Sequence, residues 1–442
     1  MATLAGARSR PTFLSRATRP RPPSMSRLFR TLLRAALALP AAATLVRAQT
    51  PAPQTEADAY TRYELLAPGS TKFRILYEVA ATTPSATAYY NPIRRGSVAT
   101  DERVTDQATG RPLRFDLVSG AVARAGGVRG ADSTGEYIRV TLARPVPANG
   151  GEARILIDKT YADAKSYYAE GRDIVFRREF GIKRNAVVLP AGYELVSCNY
   201  PSQLLQEPDG RLAVSFWNNT PAAAPLVLRA RPAGDRALAG GGAVKSSVAA
   251  RLAERAHQNR EIVYFLQQPE THAFDLYHDY TESRPGTSTY VNVVRAGSTV
   301  SKPSARNLDT GEPLRWEVVR GAAVARALPT GAAAADITPQ TEAVVFRFAP
   351  VRAGETVRLR MSETYTDAAR YKLVGDELVW DRAFGRPANA VVLPPGWAPT
   401  NSAAPTTVSE LPDGRIRLDF INPRADELAV LITARRRASG RP

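Results

Sequence analysis

One cysteine and three histidines are all that the 442 residues contain of the residue types most used for cross-linking and transition-metal binding. A lone thiol, Cys198, excludes an internal disulfide, so an apolar core must hold the fold. Cys198 lies in the apolar run "YELVSC", without the electropositive setting of a catalytic thiolate, and reads as a small buried side chain. The histidines are His257, His272 and His278. On one strand, His272 and His278 would share a face but lie ~20 Å apart, too far to hold one metal ion, and zinc-site spacings are missing. P-loop, dinucleotide, HExxH and nucleophile-elbow motifs are also missing. No cofactor and no metal are expected.

Acidic residues are missing from the N-terminal end. Residues 1–48 have no Asp, Glu or Lys but nine Arg. From Met25, Arg27, Arg30 and Arg34 precede an apolar run over residues 35–46, and Val46 and Ala48 stand at the −3 and −1 positions of a small-residue cleavage site. This predicts a Sec-type signal peptide over 1–48 cleaved after Ala48, with 1–24 an upstream extension, and hence a periplasmic or extracellular protein. The run is shorter than the ~20 residues of a spanning helix, and no later segment approaches that length. Without its nine Arg the formal charge of +17 becomes 17 − 9 = +8. The remaining positive charges are scattered singly, not gathered in the patch or stripe that nucleic-acid binding needs.

What the chain does have is a repeat. "NAVVLPAGYELVSCNYPSQLLQEPDGRL" starts at Asn185, and "NAVVLPPGWAPTNSAAPTTVSELPDGRI" starts at Asn389. From Thr160 onward the halves align without a gap at an offset of 204; earlier, "FRILYEV" faces "FDLYHDY" at an offset of 201. Residues 60–233 and 260–437 are therefore two copies of one unit, each long enough to bury its own core. Residues 49–59 and 438–442 read as disordered ends. Between the copies, residues 234–259 read as a linker: Gly240–Gly242 mark a break, and Val244, Val248, Leu252 and Ala256 recur as one apolar stripe on a short helix.

Within each copy apolar residues alternate, as Ile416, Leu418 and Phe420 do in "RIRLDF". Such segments, separated by Gly, Pro, Asn and Asp, predict an all-β protein, two tandem antiparallel β-sandwich domains. Long helices alternating with strands, as in an α/β nucleotide-binding fold, are absent. In "PDGR", Pro208 presets the first turn position and Gly210 takes the left-handed one; Pro412 and Gly414 rebuild that hairpin. "LPAGY"/"LPPGW" and the "TGRP"/"TGEP" turns at Gly110 and Gly311 are duplicated too.

The polar residues shared by both copies are the natural site candidates, and each has a structural reading. Asp163 and Asp367 in "TYxDA", followed by Tyr167 and Tyr371, cap a short turn. Arg178 and Arg382 are expected to pair with Asp173 or Glu377. Asn91, Asn292, Asn218 and Asn422 fit strand ends, tying off backbone groups. His278 answers to Tyr77, which predicts a half-buried ring with a polar tip. Glu179, Glu207 and Asp309 face Ala383, Leu411 and Ala108 in the other copy, so no acid–base pair is duplicated.

These readings lead to a non-catalytic binding or structural protein of the bacterial envelope: two sandwiches on a short hinge, serving as an accessory subunit of a membrane-associated complex, with an envelope protein as partner. The alternative is carbohydrate binding or a glycan-active protein, with Tyr89, Tyr90, Tyr167, Tyr168, Trp217 and Trp397 as the binding surface for a glycan. Tyr89 and Tyr90 on a strand point to opposite faces, so one should be exposed. A further alternative, a peptidase-associated or inhibitory module, would act through divergent loops at 125–135 or 327–340.

Overall fold

The computed structural model describes residues 51–234, 253–259, 261–328 and 337–437. The expected signal peptide, the 240–242 break and most of the linker helix lie outside these residues; at 253–259 the chain makes a turn.

Strict alternation produces strands throughout. In the first repeat a seven-stranded sheet runs in the order β12 (Gln203–Gln206), β13 (Leu212–Trp217), β10 (Arg184–Val188), β1 (Glu56–Leu65), β2 (Lys72–Ala81), β7 (Ala153–Ala162), β4 (Val98–Asp106). Two smaller sheets accompany it: β11 (Tyr193–Cys198), β14 (Ala224–Pro232), β9 (Asp173–Phe180), β8 (Tyr167–Glu170), and β3 (Ala88–Pro92), β6 (Glu136–Thr141), β5 (Phe115–Ser119). A short helix, α1 (Gly120–Ala125), follows β5. The second repeat rebuilds this topology strand for strand. Its large sheet is β26 (Thr407–Glu410), β27 (Ile416–Ile421), β24 (Ala388–Val392), β15 (Glu261–Leu266), β16 (Ala273–Glu282), β21 (Val357–Thr366), β18 (Thr299–Asn307). Its small sheets are β25 (Trp397–Ser402), β28 (Leu428–Arg436), β23 (Glu377–Phe384), β22 (Tyr371–Val374), and β17 (Thr289–Val293), β20 (Glu342–Arg347), β19 (Arg315–Arg320), with α2 (Ala322–Ala327) after β19.

The fold is thus two similar all-β sandwiches, each with one layer divided in two. In the first repeat the inward residues of β2 and β7 pack against β9 and β14 and also against Ile138 and Val140 of β6. One detail departs from the antiparallel expectation: β1 pairs with β10, and β15 with β24, in parallel. A hairpin joins β1 to β2, and the chain returns to β1's other edge only after building most of both small sheets. A long crossover permits that parallel entry.

The duplicated turns behave as their residues dictate. Gly210 and Gly414 adopt φ of +85° and +79° in the β12–β13 and β26–β27 hairpins. Residues 51–55 are not a loose tail, and β1 starts at Glu56. Gln54 is the reason: its side chain exchanges two hydrogen bonds with the Tyr90 backbone, at 3.0 and 2.8 Å, and its N–H donates to Gly127 O at 2.9 Å. The same contact folds the 125–135 loop onto the sheet. Of the 327–340 loop, residues 329–336 lie outside the described residues.

Rather than meeting only through a hinge, the repeats share a buried polar junction. The N–H of Glu152 donates to Leu308 O at 2.8 Å, and that of Thr356 to Ala108 O at 3.0 Å. Gly110, with φ +68°, leaves no room for a Cβ, which would stand 2.9 Å from Gly354 O. Gly311 is pressed the same way against Asn149, whose Nδ2 donates to Gly311 O at 2.7 Å. Corresponding pieces of the two repeats therefore contact each other reciprocally, as in an isologous dimer. Charges fill the centre. Arg154 donates two bonds to Asp309, at 2.8 and 2.9 Å. Its counterpart Arg358 reaches Asp58 at 2.6 Å, Glu152 at 3.8 Å and Asp279 at 3.9 Å. Asp58 sits in a bulge of β1 at φ +54°; burial opposes its ionisation, but Arg184 and Arg358 hold its carboxyl below the usual range. Burial pushes Glu152 up to about 7, against the pull of Arg358 and Arg154.

Candidate functional site

Where the two small sheets part above the large one, each repeat leaves a cavity, of about 490 Å³ in the first and about 460 Å³ in the second. Both fall within the range of small-molecule sites. Strand alternation decides what lines them. On β7, Ile155, Ile157, Lys159 and Tyr161 point inward and are buried; on β21 the same register positions are Leu359, Met361, Glu363 and Tyr365.

The walls correspond residue by residue. Tyr63, Tyr89, Asn91, Arg94, Tyr161 and Arg178 of the first cavity face Tyr264, Tyr290, Asn292, Arg295, Tyr365 and Arg382 of the second. The asparagine serves both repeats with opposite polarity. Asn91 Oδ1 accepts from Lys159 Nζ at 2.6 Å, whereas Asn292 Nδ2 donates to Glu363 Oε2 at 2.7 Å. An amide can do either. Neither ionisable group forms an ion pair among the described residues. Burial lowers the Lys159 amine to about 7, helped by Arg178. Burial also pushes the Glu363 carboxyl up to about 7, against its hydrogen bonds from Asn292 and Tyr365. Lys159 thus lines the first cavity, whereas Glu363 sits behind Asn292 of the second, and each is about half ionised near pH 7.

The walls also differ. Tyr77 becomes His278 and Ile182 becomes Arg386. Arg386 Nη2 donates to His278 Nδ1 at 2.9 Å and to Tyr290 OH at 3.0 Å. His278 is 1% exposed, not half-buried as expected, because β17 and the chain after β23 close over it. Burial and Arg386 hold its ring well below its ordinary pKa. With Nδ1 accepting, Nε2 carries the hydrogen, and it has no partner among the described residues.

The other sequence candidates fall mainly into structural roles. Asp163 accepts from the N–H groups of Lys165 and Ser166, both at 3.1 Å, which is the capping expected. Arg178 pairs with Asp163 at 3.4 Å and Arg382 with Asp367 at 2.9 Å, not with Asp173 or Glu377. Five residues separate Asp173 from Arg178 on β9, so they point to opposite faces; Asp173 instead meets Arg229 at 3.4 Å and Glu377 meets Arg435 at 3.8 Å. Asn218 and Asn422 tie off strand ends, donating to Phe180 O at 3.1 Å and Phe384 O at 2.8 Å. Asn91 and Asn292 do not; they belong to the cavities. His272 is not on a strand with His278. It ends a 3₁₀ turn at φ +53°, and its Nδ1 donates to Tyr371 O at 2.9 Å. Among the described residues no group of three or more His, Cys, Asp or Glu could hold a metal ion. No helix among them is long and apolar enough to cross a membrane. Cys198 is half-buried, its Sγ donating to Tyr200 O at 3.4 Å; Ser402 makes the matching bond to Ala404 O at 2.7 Å.

The six-aromatic surface is not a surface. Tyr89, Tyr90, Tyr167 and Trp397 are 8% exposed or less, and Tyr168 and Trp217 are half-buried. Tyr89 and Tyr90 do point to opposite faces, yet Tyr89 packs in the main core, while the outer face with Tyr90 is covered by Ala123 of α1 and Val128. Tyr89 and Tyr90 nonetheless line the first cavity. Sequence reasoning missed Lys159 and Glu363, although a signal was present: each interrupts an inward apolar register.

No family model and no curated protein matches the chain. Similar solved structures include an M1 zinc metallopeptidase from Deinococcus radiodurans, 12% identical, with a TM-score of 0.28 over 41% of this chain and 42% of that one. Another is an aminopeptidase N family protein from Idiomarina loihiensis, 10% identical, with a TM-score of 0.23 over 39% of this chain and 29% of that one. The chain spans less than half the length of either, and at such scores neither likeness bears on what this protein does.

Proposed function

We propose that this is an exported, non-catalytic binding protein of the bacterial envelope in which each repeat carries its own small-molecule pocket. The observation that supports this is the repetition of one cavity wall beside an exchanged buried group, Lys159 lining the first cavity and Glu363 held behind Asn292 of the second. A duplicated active site would retain its acid or base, since chemistry depends on that group; two binding sites need retain only a shape and can change the charge they select. In this reading the protein is a periplasmic accessory subunit that presents its ligands to a membrane-associated partner. The test is calorimetry on the chain from Gln49 onward, with ligands drawn from a thermal-shift screen of metabolites. Two sites are expected, one lost in Lys159→Met and the other weakened in Glu363→Gln, which acts through Asn292 of the wall. Turnover of any bound compound, or a screen without a single stabilising ligand, refutes the reading.

A glycan is the second reading, favoured by the first cavity alone, which six tyrosines line: Tyr63, Tyr77, Tyr89, Tyr90, Tyr137 and Tyr161. Tyrosine offers both a stacking face and a polar tip. A glycan array in which Tyr90→Ala abolishes a signal supports it; a blank array removes it.

A further inference from the structure

We infer that the cavity of the second repeat binds the oxyanion group, carboxylate or phosphate, of a small molecule, with Arg386 as its principal anchor. The inference rests on the binding reading above and names the ligand chemistry of one of its two sites.

Charge is the first ground. The wall contains the arginines Arg255, Arg284, Arg295, Arg382 and Arg386 and no Asp or Glu. Arg284, Arg295 and Arg382 have carboxylate partners, Glu282 at 2.6 Å, Glu427 at 2.8 Å and Asp367 at 2.9 Å. Arg386 has none among the described residues; its acceptors are a neutral ring nitrogen and a phenol. A guanidinium so placed lacks the counter-charge that cations in protein interiors normally have, and its planar fork suits a carboxylate or phosphate.

Unused donors are the second ground. His278 Nε2–H and Arg382 Nε–H lie in the same wall, are buried, and have no acceptor among the described residues. Orphaned donors of this kind are rare in native interiors and call for an explanation; a bound oxyanion supplies one. Glu363, outside the wall and behind Asn292, opposes the anion little below about pH 7, where burial keeps its carboxyl largely protonated.

The third ground comes from the first repeat, which has Ile182 and Tyr77 at the positions of Arg386 and His278. The fold tolerates an uncharged pair there, so the architecture does not demand the cation.

The sibling repeat also supplies the test. Inorganic phosphate, acetate and succinate are titrated calorimetrically into the chain from Gln49 onward, then into Arg386→Ile, His278→Tyr and Lys159→Met. At least one probe should bind, and the phosphate and carboxylate arms tell which headgroup is preferred. Arg386→Ile should weaken that probe about ten-fold or more while the melting temperature holds; should that variant misfold, His278→Tyr gives the readout, with a smaller loss. Lys159→Met should bind as wild type. The inference falls if none of the three anions binds, if Arg386→Ile and His278→Tyr both bind as wild type, or if only Lys159→Met loses affinity. A neutral ligand weakened in Glu363→Gln, with no anion bound, would overturn it and leave the binding reading standing.

Discussion

At one register position the first repeat places an amine in its cavity and the second a carboxyl behind its cavity wall, while the asparagine beside each turns its amide to suit. The cations that hold the scaffold are not exchanged. Arg178 and Arg382 each bind the turn aspartate and lie over core aromatics, 5.5 Å from the Phe73 ring and 5.0 Å from that of Phe274. The comparison separates two kinds of buried polar group. Those that fasten the sheets recur in both copies; at and beside the cavity, Lys159/Glu363, Tyr77/His278 and Ile182/Arg386 vary, because no backbone geometry depends on them. A second asymmetry lies at the junction, where Arg154 meets one aspartate in a bidentate pair and Arg358 serves Asp58, Glu152 and Asp279 at once.

Breaking that asymmetry should have the largest effect. Arg358→Ala removes the guanidinium that Asp58, Glu152 and Asp279 share, leaving them Arg184, Arg154 and Arg360 respectively, and is expected to cost about 3 kcal/mol. Arg154→Ala should cost less, since Asp309 still accepts from the N–H of Arg358 at 2.8 Å. Urea unfolding of both variants checks the order; equal losses would mean the junction treats its two arginines alike.

Next in size are the pH responses of Lys159 and Glu363. Lys159 titrates near 7 when folded and at its ordinary 10.5 when unfolded. The unfolded chain therefore binds the extra proton between about pH 7 and 10.5, and stability rises with pH there by at most about 1.4 kcal/mol per unit. Glu363 has the opposite sign. Its folded carboxyl keeps a proton between 4.5 and about 7, so its stabilising contribution is full below 4.5 and is lost as pH rises through about 7. Lys159→Met should flatten the alkaline slope. Glu363→Gln should flatten part of the acidic one, since Glu152 and Glu261, whose shifts have the same direction, also contribute to it. Unfolding curves collected from pH 5 to 10 decide; unchanged slopes would mean that neither group is desolvated.

The smallest effect is expected at Cys198→Ser, which makes the first copy match Ser402. It should change stability by less than about 0.5 kcal/mol, measured by thermal unfolding.

Much of the fold was legible because its determinants are local. Alternation marked the inward faces, and turn positions with positive φ fell on glycines such as Gly210. The sites were harder to read. One of Tyr89 and Tyr90 was expected in solvent because a strand has two faces, but both are buried, and a six-residue helix distant in sequence covers the outer face with Tyr90. Lys159 and Glu363 could have been found by following inward registers across both copies, since a charge among Ile155, Ile157 and Tyr161 breaks the pattern. Arg386 could not. It follows β23 in an irregular stretch, and only the tertiary fold brings it to His278 and Tyr290. Asp58 was equally hidden, since a non-glycine residue at positive φ in a bulge leaves no sequence mark.

The reciprocal docking of Gly110 on Gly354 and of Gly311 on Asn149 makes each half both socket and plug. Such a chain is organised as a homodimer fused end to end, in which tethering keeps the sibling face at an effective concentration on the order of millimolar. Assembly no longer depends on how much protein the cell makes. Freed from having to match, the twin chambers could diverge, one around an amine and one beside a carboxyl.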